Sequence, residues 1–174
     1  MSSKNVATLL IAVLTIFGLS LHAWYWTQLP DRVATHFGID GSPNDWMSKT
    51  NATILLCSLQ VGLPLFFLSI SFSISKLPAT VINIPNREYW LHPDRRAETI
   101  THMTTMLSWI AVLITLEMIA IVHLTFLANR SAKALNANLF LVVLGVFLLA
   151  VFSIVGRSMW HLRLPKFKNG DIPI

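Results

Sequence analysis

Val6-Ala-Thr-Leu-Leu-Ile-Ala-Val-Leu-Thr-Ile-Phe-Gly-Leu-Ser-Leu-His-Ala-Trp-Tyr-Trp26 decides the fold, because no charged side chain falls between Lys4 and Asp31. A bilayer core is crossed by about 20 apolar residues of helix, and this run meets that length. A signal-peptide core is shorter, about 7–15 residues, and ends at an A-x-A-like site. Here Leu21 stands two residues before Ala23, so the run reads as a retained anchor. Three more runs follow. One extends over about 52–74, between Lys49 and Lys76. Another covers about 106–127 with Glu117 as its only charge, and the last covers about 135–155, between Lys133 and Arg157. The expected fold class is therefore all-α: one membrane domain over residues 1–174 with four transmembrane helices.

Composition agrees. The chain is 54% hydrophobic and 12% charged, with a mean hydropathy of +0.62. A soluble domain carries about 25% charged residues, so the polar surface is too small to coat a water-soluble globule. The formal charge of +5 is spread over loops and tails, not gathered on one face. Lipid headgroups explain that spread better than nucleic acid does, and no nucleic-acid partner is expected. Cys57 is the only cysteine, so no intramolecular disulfide forms. In its apolar setting it reads as a small core residue.

Lysine and arginine set the expected orientation. With the N-terminus inside, Lys4, Lys76, Arg87, Arg95, Arg96, Arg157, Arg163, Lys166 and Lys168 are cytoplasmic. Arg32, Lys49, Arg130 and Lys133 lie outside. Nine against four places both termini on the cytoplasmic side. Trp24, Tyr25, Trp26 and Trp46 would form the outer aromatic belt, with Trp90, Trp109 and Trp160 near the inner one.

The outer loop, about 28–50, carries the turn chemistry of Gly38, Gly41 and Ser42-Pro-Asn-Asp45. Arg32, Val33 and His36 would share one face of a short helical turn starting at Pro30. The loop should fold down onto the helix ends. In the inner loop, about 77–97, Val81 to Ile84 is β-rich but too short for a sheet. Pro93-Asp94 is a good helix start, giving a third long helix of about 30 residues that begins in the cytoplasm. Arg95 and Glu98 have the spacing of a solvated i,i+3 pair.

Leu29-Pro30, His36-Phe37, Gly41, Trp46 and Lys49 together resemble the bacterial membrane family called domain of unknown function 1648. That domain also forms the N-terminal part of SdpI-type immunity proteins. Asn83-Ile-Pro-Asn-Arg-Glu-Tyr-Trp90 with Arg95-Arg96 looks like an extension found in some members. The resemblance covers about residues 6–100. It implies a membrane protein that senses a toxic peptide and relays its presence to a repressor, although the immunity proteins carry further spans. It implies no catalytic residues.

Glu117 is the sharpest single feature. A carboxylate near the bilayer centre costs at least about 2.5–3.5 kcal/mol. It must face the bundle interior, be paired, or be held protonated. At about 1.5 Å per residue, Gln60 and Glu117 lie about 12 and 15 Å below the outer end. A hydrogen bond between them is expected, either as a structural clasp or as part of a proton or substrate site. His22, His36 and His123 fall toward the same end, with Asp40 and Asp45 nearby. Imidazoles at one depth suit a transition metal, or else His36 pins the loop to His22 or His123. The inner basic residues fit anchoring on anionic lipid or a docking patch for a cytoplasmic partner. No phosphate loop, nucleophile elbow or kinase set occurs.

The leading expectation is a non-enzymatic sensing or immunity-type protein with the outer loop as recognition element. His36, Asp40, Gln60 and Glu117 are its candidate binding residues. A small oligomeric transporter or channel using Glu117 and Gln60, and an accessory subunit of a larger complex, are the alternatives. No cofactor is expected. The partners are the lipid bilayer, a membrane protein or second copy, and a peptide ligand.

Overall fold

The structure is a computed structural model that describes residues 1–164. Lys166 and Lys168 of the inner basic set lie outside the described residues. Four long helices carry the fold: α1 (Ser3–Trp26), α2 (Lys49–Ile74), α4 (Pro93–Ser131) and α5 (Ala137–His161). Each is long and apolar enough to cross a membrane. A one-turn helix α3 (Arg87–Trp90) precedes α4, a 3₁₀ turn occupies Ala79–Val81, and the β-rich stretch Val81 to Ile84 forms no strand. The helix starts follow from their caps. Ser2, Ser48 and Asn136 accept from the backbone N–H groups of Asn5, Asn51 and Leu139. Pro93 opens α4 as expected, and α4 continues to Ser131. At 39 residues it is about 58 Å long, well beyond a bilayer core.

The all-α expectation needs one correction. The α1–α2 loop is not a helical turn but an antiparallel hairpin of β1 (Arg32–Phe37) and β2 (Pro43–Ser48). The register pairs Arg32 with Ser48 and Ala34 with Trp46. It then slips around Thr35, which has no partner opposite it. Val33 and Ala34 are buried, and burial of these small apolar groups favours the extended chain over a helix start at Pro30. The tip is held by Asp40, whose Oδ1 accepts from the N–H and the hydroxyl of Ser42 (3.1 and 2.6 Å). These two bonds keep the Asp40 carboxyl below the usual carboxylate range. At the base, Lys49 donates to the Leu29 carbonyl and lies over the Trp26 ring.

The hairpin folds down onto the helix ends. Asn129 of α4 grips the Ala34 backbone at two points, accepting from its N–H (2.6 Å) and donating to its C=O (2.9 Å). Asn129→Ala is expected to weaken this docking by about 2–3 kcal/mol, since two bonds to a buried peptide are lost. The expected readout is faster hydrogen exchange at the Ala34 amide with unchanged helix content.

α4 is the central helix and touches α1, α2 and α5. The α1 stripe Ala7, Ile11, Gly18, His22 and Tyr25 is buried at the spacing of one helix face. Ala7 and Ile11 pack with Ala111 and Val112, and Tyr25 packs with Val122 and Phe126. Tyr25 stacks on Phe126 with ring centres 3.7 Å apart, so it is a core residue and not part of an aromatic belt. Between α2 and α4, the Ser71 hydroxyl donates to the Thr104 carbonyl. Ser108 and Thr115 donate to carbonyls of their own helix, which leaves them satisfied in an apolar seam. Pro64 lies buried inside α2. It has no N–H, so the Gln60 carbonyl receives no bond from it.

α5 stands apart, with contacts to α4 and only Ser158 buried. Its ends are clipped in place by loop groups. Leu135 N–H donates to the Gly41 carbonyl (2.8 Å) at the hairpin tip. At the far end, the Leu162 carbonyl accepts from Asn86 Nδ2 (2.9 Å) and Trp90 Nε1 (2.7 Å). Asn86 reaches this position from a left-handed backbone, φ 53°. The expected Arg95–Glu98 pair is replaced: the Arg95 guanidinium lies 4.0 Å from the Tyr89 ring centre and donates to the Tyr89 carbonyl.

Candidate functional site

A cavity of about 380 Å³ opens under the hairpin. Thr35 to Ile39 of the hairpin form its roof. Ile121 and Thr125 of α4 face Leu135, Phe140 and Leu141 at the start of α5. The size falls within the roughly 300–1,000 Å³ range of small-ligand pockets. No charged side chain lines it. His36 stands on its wall, and Asn44 Oδ1 accepts from His36 Nδ1 (2.6 Å). That bond assigns the proton to Nδ1 and leaves Nε2 as a free acceptor when the ring is neutral. The exposed walls of α5 next to it, Leu139, Leu141 and Val142, continue the apolar surface outward.

The other expected site residues do not converge on this cavity. Asp40 belongs to the hairpin tip and is engaged with Ser42. His22 Nε2–H donates to Gln60 Oε1 (3.0 Å) between α1 and α2. The Tyr25 hydroxyl bonds His123 Nδ1 (2.6 Å). The three histidines thus serve three different partners, and His36 pins neither His22 nor His123. Among the described residues no group of three His, Cys, Asp or Glu side chains forms a metal site.

The expected Gln60–Glu117 bond is absent. Gln60 is fully buried, with its amide against Gly18 and His22 of α1. Gln60 Nε2 and Glu117 Oε1 are each sealed from solvent without a hydrogen-bond partner. Depth matched but azimuth did not. Thr115 lies on the buried α1–α2 side of α4, and Glu117 is two residues, about 200°, further round. Glu117 shares its stripe with Ile121, one turn later, and Met106, three turns earlier. Both line cavities against α5, Ile121 at the hairpin end and Met106 in a second cavity with Ile154, Arg157 and Ser158.

Sequence reasoning missed Gly18, Asn86 and Asn129. Gly18 has no small residue one turn away on either side, so it carried no packing signature. Its function is a notch for one side chain, Gln60. Asn86 and Asn129 looked like ordinary polar residues near helix ends, and only the fold shows the backbone groups they hold.

Four membrane-length apolar helices joined by an ordered hairpin define a multi-pass transmembrane protein. Within it, residues 10–61, from inside α1 through the hairpin to the middle of α2, match the family described as Domain of unknown function (DUF1648). Neither the curated proteins nor the solved structures contain a match to the chain.

Proposed function

We propose that the protein is a non-enzymatic sensing or immunity-type protein of the bacterial inner membrane, with the hairpin as its recognition element and both termini in the cytoplasm. The observation that carries this reading is His36 on the wall of the apolar cavity that the hairpin closes against α4 and α5. An envelope molecule or peptide with an apolar part would enter there, and His36 would offer it one polar contact. The charge distribution supports the orientation. Among the described residues, the end where α1 begins and α5 ends holds Lys4, Lys76, Arg87, Arg95, Arg96, Arg157 and Arg163. The hairpin end holds Arg32, Lys49, Arg130 and Lys133.

One experiment addresses both parts. In a deletion strain, His36→Ala is expected to reach wild-type membrane levels and fail to complement. Ile39→Cys, placed at the exposed hairpin tip in a Cys57→Ser background, is expected to react with an impermeant maleimide in intact cells. Full complementation by His36→Ala would remove the hairpin from the recognition role, and protection of the new thiol would reverse the orientation.

A second reading, a small oligomeric carrier, draws on Glu117, whose buried Oε1 has no partner. Gln60 contributes nothing to it directly, because its amide belongs to the α1–α2 seam. Glu117→Gln leaving substrate flux intact in reconstituted vesicles would exclude this reading.

A further inference from the structure

The α4–α5 crevice has an unusual chemical make-up. Glu117 is 7% exposed and its Oε1 has no partner among the described residues. The α5 segment across from it, residues 139–152, contains only apolar residues and glycine. A buried carboxyl group is tolerated when it is held protonated, and its ionised form is stable there only when a cation or donors satisfy it. The chain itself has no cation that reaches this level. No lysine or arginine occurs between Lys4 and Arg32, Lys49 and Lys76, Arg96 and Arg130, or Lys133 and Arg157. Those intervals contain the middles of all four long helices. A second copy would bring another Glu117 and no lysine or arginine at this level.

The surroundings select the kind of cation. Calcium takes about 6–8 oxygen ligands, and magnesium needs a near-ideal octahedron of them. Among the described residues Glu117 is the only buried Asp or Glu, and its stripe neighbours are apolar. One helical turn toward the hairpin, at Ile121, begins the 380 Å³ cavity. Its walls include Phe37 and Phe140, whose ring faces attract organic cations when within about 6 Å. Loop groups close the crevice at its two ends, and at the end away from the hairpin His102 of α4 also bonds the Ser158 hydroxyl (2.9 Å) and stacks on His161.

We infer that the α4–α5 crevice is a binding site for a lipophilic organic cation, with its apolar body in the cavity under the hairpin and its charge drawn toward Glu117. The inference rests on the reading of that cavity as the recognition site and names the class of ligand it takes. His36 faces the ligand from the hairpin, Glu117 from α4, and α5 supplies the apolar wall.

The test uses the purified full chain in detergent micelles with two probes. Tetraphenylphosphonium is the cation, and N-phenyl-1-naphthylamine is a neutral apolar probe. Saturable binding of both to the wild type is expected. Glu117→Gln should weaken tetraphenylphosphonium at least about tenfold, equivalent to about 1.4 kcal/mol, and change the neutral probe less than about twofold. Ile121→Trp, which fills the cavity and keeps the carboxylate, should weaken both. Equal cation affinity in wild type and Glu117→Gln would overturn the charge assignment while the cavity remains a site. Failure of both probes to bind the wild type would overturn the inference together with the cavity reading beneath it. If Glu117→Gln does not purify as a monodisperse protein, Ile121→Trp decides: unchanged cation binding there overturns the proposal.

Discussion

Gly41→Ala is expected to destabilise the hairpin end by about 3–4 kcal/mol. Two independent costs add. Gly41 sits at φ +80°, a region that costs residues with a Cβ about 1–3 kcal/mol. A Cβ there would also overlap the Leu135 carbonyl oxygen and stand 3.1 Å from the Leu135 carbonyl carbon. These are backbone atoms at the start of α5, so no rotamer change relieves the contact. The chain must instead give up the Leu135–Gly41 hydrogen bond. The hairpin tip and the first turn of α5 then separate. The expected result is rapid tryptic cleavage at Arg32 and Lys49 in detergent, with far-UV helix signal retained. Cleavage no faster than in the wild type would show that the tip and α5 are not coupled in this way.

The second large effect is expected at Gly18. A Cβ on Gly18 would overlap Gln60 Nε2 and stand 2.6 Å from Gln60 Cδ. A flexible side chain on the surface would swing away from such a contact, but Gln60 is fully buried and its Oε1 is committed to His22. Moving it breaks that bond in an apolar seam. Overpacking costs about 1–3 kcal/mol and an unsatisfied buried polar group about the same again. Gly18→Ala is therefore expected to lose about 2–4 kcal/mol in reversible unfolding from mixed micelles. Combining it with Gln60→Ala removes the obstacle. The double variant should be more stable than the sum of the singles predicts, with a coupling of about 1–3 kcal/mol. Simple additivity would mean that the notch and the side chain do not meet in solution.

The four spans were legible because bilayer thickness sets the length of an apolar run and charge marks its ends. The starts at Pro93 and Ser48 were local signals that nothing in the tertiary structure opposed. The hairpin was not legible. Pro30 and the Arg32, Val33, His36 spacing suit a helical turn, and only docking of Val33 and Ala34 against α4 makes the extended form better. The Gln60–Glu117 bond failed for a similar reason. Rise per residue gave Gln60 and Glu117 nearly the same depth, yet rotation about each axis sends one toward α1 and the other onto the α5 stripe. The three histidines shared a depth too, and each found its own partner on a different element. His36 was the one placed on a cavity wall.

Pro64 gives α2 a mechanical character. The missing rung at the Gln60 carbonyl divides the helix into two arms of unequal attachment. The arm after Pro64 is fastened to α4 through Ser71. The arm before it is continuous with β2, since Ser48 both ends the strand and caps the helix. Gln60 lies at the joint and is seated in the Gly18 notch. Any load on the hairpin would therefore reach α2 through the arm before Pro64, whose far end is seated at Gln60 in the Gly18 notch.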